Sequence, residues 1–156
     1  IAIFASATPM QDVSLEFGYV TQDNDDPTNG GAGDVWDVNG QWKNIASSGA
    51  TVGAEYLGTD EVIDGAWNIW GGFDFAQGFG VKARYESAAA DLSGVDDAKR
   101  WTLYGSWQAA SNLLIALEYS SGDADTSGSA NATAFNGTTG ITDDAKFTAE
   151  FIATLP

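Results

Sequence analysis

From Asp12 to Gln22 the chain alternates with period two. Val13, Leu15, Phe17 and Tyr19 point to one side, and Asp12, Ser14, Glu16 and Gly18 to the other, which is the signature of a strand with one apolar face. Seven further segments repeat the pattern: Asp34–Ile45, Ala50–Thr59, Gly65–Ala76, Phe79–Ser87, Arg100–Ala109, Asn112–Ser120 and Ala145–Leu155. A shorter run, Ile1–Ser6, brings the expected strands to nine; its small-residue end, Ala5-Ser6-Ala7, also fits the tail of a secretory signal. The connections alternate as well. Ala46–Gly49, Gln77–Gly78 and Ala110–Ser111 are tight, whereas Asp23–Gly33, Ala88–Lys99 and Ser121–Asp144 are long and polar, with Asp60–Asp64 a shorter member of the long set. An all-β, antiparallel, up-and-down meander with short turns at one end and long loops at the other is the expected architecture. Greek-key sandwiches do not separate their connections so regularly.

The charges separate a membrane barrel from a soluble sheet, because a charged side chain facing lipid costs ~2–4 kcal/mol at the midplane. Asp12, Glu16, Asp37, Lys43, Glu55, Asp74, Lys82, Arg84, Glu86, Arg100, Glu118, Lys146 and Glu150 share the polar parity of their strands. The remaining charges are expected in loops. The opposite parity is apolar throughout, and its aromatics collect at strand ends: Tyr19, Trp36, Tyr56, Trp67, Tyr85, Trp101 and Tyr119 beside the long loops, and Trp42, Phe75, Phe79 and Trp107 at the other end. A soluble core would hold its rings mid-strand, whereas two rows of rings at two depths are the girdles of a transmembrane barrel. A soluble lipocalin-like barrel or sandwich is the competing reading.

Composition narrows the chemistry. There is no Cys and no His, which removes thiolate metal sites, the commonest general base and the Ser-His and Cys-His nucleophile pairs, so an enzyme is not expected. The formal net charge of −16, with six Lys and Arg residues, argues against a nucleic-acid partner. No run of about twenty apolar residues is present to form a transmembrane helix. Asp123-Ala-Asp125-Thr-Ser127-Gly128 opens like a calcium loop, but Ala134 stands where the bidentate Glu belongs. Asp23, Asp25 and Asp26 read as a solvated acidic loop, and the sequons at Asn131 and Asn136 carry no weight in a bacterial membrane. No cofactor and no metal site are expected.

The segments FDFAQGFGVKARYES, RWTLYGSWQAASNLLIALEYSSGD and DDAKFTAEFIATLP resemble the C-terminal half of Gram-negative outer-membrane porins. The resemblance spans essentially the whole chain and rests on rhythm rather than on a fixed signature. Such proteins usually end in Phe, whereas this chain ends Leu155-Pro156. It implies a homotrimer in the bacterial outer membrane, in contact with lipid and lipopolysaccharide, passing small hydrophilic solutes and ions.

Long loops outside put the final strand running inward, as such a barrel requires. Nine strands cannot close with both ends in the periplasm, since that takes an even number. Either Ile1–Ser6 stands apart from a closed eight-stranded barrel with a structural or binding role, or the chain is one portion of a larger barrel of roughly sixteen strands. The start at Ile1 with no initiator Met favours the portion. The expected pore-lining residues are Glu16, Asp37, Lys43, Glu55, Asp74, Lys82, Arg84, Glu86, Arg100, Glu118, Lys146 and Glu150. Lys82 and Arg84 form a basic stripe, and the excess of acid predicts a mild cation preference.

Overall fold

The computed structural model describes residues 1–21, 34–59, 63–90, 93–124, 132 and 139–153. Nine strands form one antiparallel sheet in sequence order: β1 (Ala2–Met10), β2 (Val13–Val20), β3 (Val35–Ile45), β4 (Ala50–Thr59), β5 (Ile63–Asp74), β6 (Phe79–Ala90), β7 (Ala98–Ala110), β8 (Leu113–Asp123) and β9 (Ala145–Ala153). Each strand pairs with its neighbours in sequence, and no pairing joins β1 to β9 among the described residues. No helix of the described residues is long and apolar enough to cross a membrane.

The tight connections sit at one end of the sheet. Asp12 adopts a φ of 64° in the β1–β2 turn, and Gly78 a φ of 77° between β5 and β6, where Phe75 N–H donates to Phe79 O at 2.7 Å. Left-handed positions of this kind let a two- to four-residue link reverse a twisted strand. At the β3–β4 turn, Gly49 has a φ of 83°, and a Cβ there would stand 2.5 Å from Asp74 O, so only glycine fits.

Ile1–Ser6 is a strand of the sheet, as the count of nine expects: Ile3 pairs with Tyr19, Ala5 with Phe17 and Ser6 with Glu16, and β1 runs on to Met10. The alternative of a closed eight-stranded barrel of β2–β9 would need β2 to pair with β9, but β2 pairs with β1 and β3. The structure differs from the sequence reading at the long-loop end, where β5 to β8 extend beyond the expected limits and take in Asp64, Lys99 and Asp123. Lys99, two residues past Trp101, and Asp123, four past Tyr119, are opposite each other on the apolar parity. Backbone pairing continues beyond the apolar band, where charge on that face meets water at no cost.

A small core lies at the same end. Ala88, Ala98, Ala124 and Ile141 are buried together, with Ile63, Ala66, Ala90 and Val95 packed against them. Ile141 belongs to the connection leading into β9, so the return limb of that connection folds back over the polar face of the sheet. There Arg100 donates from Nη1 to Gly140 O at 3.4 Å, and Gly122 N–H donates to Asp144 O at 3.3 Å.

Candidate functional site

The register turns the two rows of rings into a measurable frame. Directly opposed residues share a face and a level, and the pairs Tyr19–Trp36, Tyr56–Trp67, Tyr85–Trp101 and Tyr119–Phe147 are directly opposed. The intervening contacts are diagonal: Trp36 packs on Tyr56, Trp67 on Tyr85 and Trp101 on Tyr119 at centroid distances of 5.1, 5.5 and 5.1 Å. Each diagonal steps two residues toward the tight turns. A slip of two residues per two strands, about 6.6 Å along for about 9.6 Å across, tilts the strands by about 35° to the normal of the ring plane. That is the tilt of transmembrane barrels.

Six residues below each upper position a second level runs in parallel: Val13, Trp42, Ala50, Phe73, Phe79, Trp107, Leu113 and Ala153. Phe79 and Trp107 stack there at 5.6 Å and 4°. Phe73 holds the level on β5, and Phe75 lies past the end of the strand against it. The interval of six is the same on all eight strands from β2 to β9. At about 3.3 Å per residue and the tilt above, the two levels are about 16 Å apart before the rings add their own height. Between them, every position of the outer parity on these strands is apolar or glycine. Ile69 and Leu103 at mid-band are half-exposed, 52% and 51%. An apolar sheet face of this extent is unsuited to water.

The opposite face carries the charges, and all twelve expected site residues have its parity. The levels sort them by depth. Glu16, Lys82 and Glu150 lie midway between the ring levels. Asp37, Glu55, Arg84 and Glu118 are one residue inside the upper level, and Glu86, Arg100 and Lys146 one residue outside it. Asp74 and Lys43 lie just beyond the lower level, Lys43 within an irregular stretch of β3–β4 pairing. Above the lower ring level the charges on β2–β4 are therefore all acids, and those on β6 and β7 are bases around Glu86.

Neighbouring strands hold these groups in place. Asn39 Nδ2 donates to Glu16 Oε2 at 3.3 Å, and Asn68 Nδ2 to Glu55 Oε2 at 2.8 Å. Glu86 ion-pairs with Arg84 at 2.8 Å and with Arg100 at 2.6 Å. Lys82 and Arg84 do lie side by side on one strand as a basic stripe, but Arg84 is committed to Glu86, and among the described residues Lys82 forms no ion pair.

The alternation did not single out the aromatics on the polar face. Trp70 and Tyr104 stand at mid-depth beside Lys82, on β5 and β7. With Glu55, Asn68, Arg84, Thr102 and Glu118 they line a groove of about 440 Å³. The signal was available in the sequence as two large rings on the charged parity. No group of residues suited to holding a metal occurs among the described residues. Of the calcium-like run that begins at Asp123, the positions Asp125, Ser127, Gly128 and Ala134 lie outside the described residues, as do the acids Asp23, Asp25 and Asp26, the sequon asparagines Asn131 and Asn136, and the terminal Leu155-Pro156.

Among solved structures, the sheet superimposes on a mutant of the porin of Rhodopseudomonas blastica with a TM-score of 0.56 at 20% identity, over 78% of this chain and 38% of that one. The fold is porin-like. A second mutant of the same porin gives a TM-score of 0.55 at 18% identity, over 79% of this chain and 41% of that one. The chain thus spans about two fifths of the porin chains it matches. No protein-family model and no curated protein matches the sequence. The porin-like sheet thus has one apolar face, banded by the two ring levels, and one charged face.

Proposed function

We propose that the chain forms part of the wall of a water-filled outer-membrane channel for passive diffusion of small hydrophilic solutes and ions. The observation that carries this reading is the complete absence of polar side chains from the outer face between the two ring levels, set against charges on the opposite face at every depth. A closed structural barrel needs its inner charges only as a salt-bridge lattice. Here two ion pairs, both to Glu86, are formed among the described residues, while Glu16 and Glu55 accept from Asn39 and Asn68 instead of from a base.

The twelve residues from Glu16 to Glu150 are the pore lining in this reading. Seven are acids and five are bases, and the imbalance supports a mild cation preference. Acids on β2–β4 and bases on β6–β7 also set a transverse field across the solute path. The protein makes and breaks no bond in the solute, and it works as a trimer in contact with lipid and lipopolysaccharide in a Gram-negative outer membrane.

Single-channel recording in planar bilayers, with the reversal potential taken under a salt gradient, tests the proposal. A steady conductance with a cation-leaning reversal potential is the expected result. A folded protein that conducts nothing would overturn it.

A further inference from the structure

Mid-depth in the wall, Trp70 lies flat over the backbone of β4. A Cβ on Gly53 would come within 2.3 Å of its Cζ2, so one ring face is pressed on the strand and the other is turned away from it. On the same level, two strands along, stands Tyr104, with Lys82 between them. One step above are Arg84 and Thr102, directly opposed to each other. Thr102 is 94% buried from its 6% exposure, and its Oγ1 has no protein partner. Thr102 lines the same groove as Trp70, with its hydroxyl turned out of reach of solvent.

We propose that this groove is a binding site for neutral sugars, with Trp70 as the stacking platform. The proposal rests on the channel reading above and adds a solute class to it. A pyranose has an apolar C–H face and a rim of hydroxyls that both donate and accept. The free face of Trp70 matches the first. Carboxylates at Glu55 and Glu118 accept from the rim, and Lys82 and Asn68 donate to it. A net-charged solute would be attracted by one set of these groups and repelled by the other. A free amino acid fits poorly, because its opposite charges are close together, whereas Glu55 and Glu118 are each two strands, about 10 Å, from the strand that carries Lys82.

The test is ion current through the native protein in planar bilayers during titration with glucose and cellobiose, with glycine as the zwitterionic comparison and titration calorimetry of the detergent-solubilised protein alongside. The proposal expects saturable block and binding heat for the sugars, none for glycine, and an affinity at least about tenfold weaker in Trp70→Ala, a loss typical of removing one stacking ring. Trp70→Phe should retain most of the affinity, as should the lipid-facing Trp107→Phe. A conducting protein with no sugar response, or equal block in Trp70→Ala that still shows heat-modifiable mobility, overturns the sugar site and leaves the channel standing. A protein that binds sugar calorimetrically but does not conduct overturns the channel and leaves the site.

Discussion

Glu86 ion-pairs with two guanidinium groups at once, Arg100 Nη2 on Oε1 at 2.6 Å and Arg84 Nε on Oε2 at 2.8 Å. The arrangement draws two cations onto one carboxylate and leaves the cluster with a single net positive charge. Glu86→Gln should therefore add one unit of positive charge to the wall and move the reversal potential toward anions. Glu86 is 17% and Arg100 28% exposed, so the change leaves a half-hidden guanidinium without its partner and should cost about 1–3 kcal/mol. Reversal potential and a urea midpoint in lipid vesicles measure the two effects, and an unchanged potential would mean that ions do not pass this cluster.

Leu103 and Lys99 share a parity on β7, Leu103 at mid-band and Lys99 two residues outside the ring level. Leu103→Arg should destabilise the protein by ~2–4 kcal/mol in equilibrium unfolding from lipid vesicles, and Lys99→Ala by almost nothing. If both changes are neutral, the apolar face does not contact hydrocarbon.

Gly53→Ala should preserve the fold and push the Trp70 ring off the wall, since the clash is with the side chain and not with backbone. The displaced ring narrows the water path, and single-channel conductance should fall by a fraction without being abolished. Conductance equal to wild type would show that the ring does not lie beside the ion path.

Ile141 is 3% exposed among Ala88, Ala98 and Ala124. Ile141→Asp would bury an unpaired carboxylate there and should free the limb from Gly140 to Asp144 from the wall. Faster protease cleavage in this limb and a larger or noisier conductance are expected. A cleavage pattern like wild type would count against the limb's anchoring on Ile141.

Period-two alternation located every strand, because a sheet with one wholly apolar and one charged face puts a sharp constraint on parity. It also put the twelve charged positions on one parity, which the register keeps. It did not give strand ends at Lys99 and Asp123, since pairing outlasts the apolar band and charge there is unpenalised. Nor did it give depth: that Lys82 is level with Trp70 and Tyr104 follows from the slip between strands, a property of pairing rather than of any one strand. The inward fold of Ile141 was equally hidden, one apolar residue in a polar loop whose partners are alanines on two other strands.

In the channel reading, the constant six-residue interval between the ring levels also sets the thickness of the bilayer that the protein fits. All eight strands share it, so the wall cannot shorten or lengthen strand by strand, and hydrophobic mismatch must be absorbed by the bilayer around it. Lipids with long, saturated tails would have to thin against the Trp and Tyr rows, at a fraction of a kcal/mol per ångström. Shorter-chain lipids would meet both rows unstrained, so insertion and folding should be fastest in thin bilayers, and the protein should partition into the thinner regions of a mixed one.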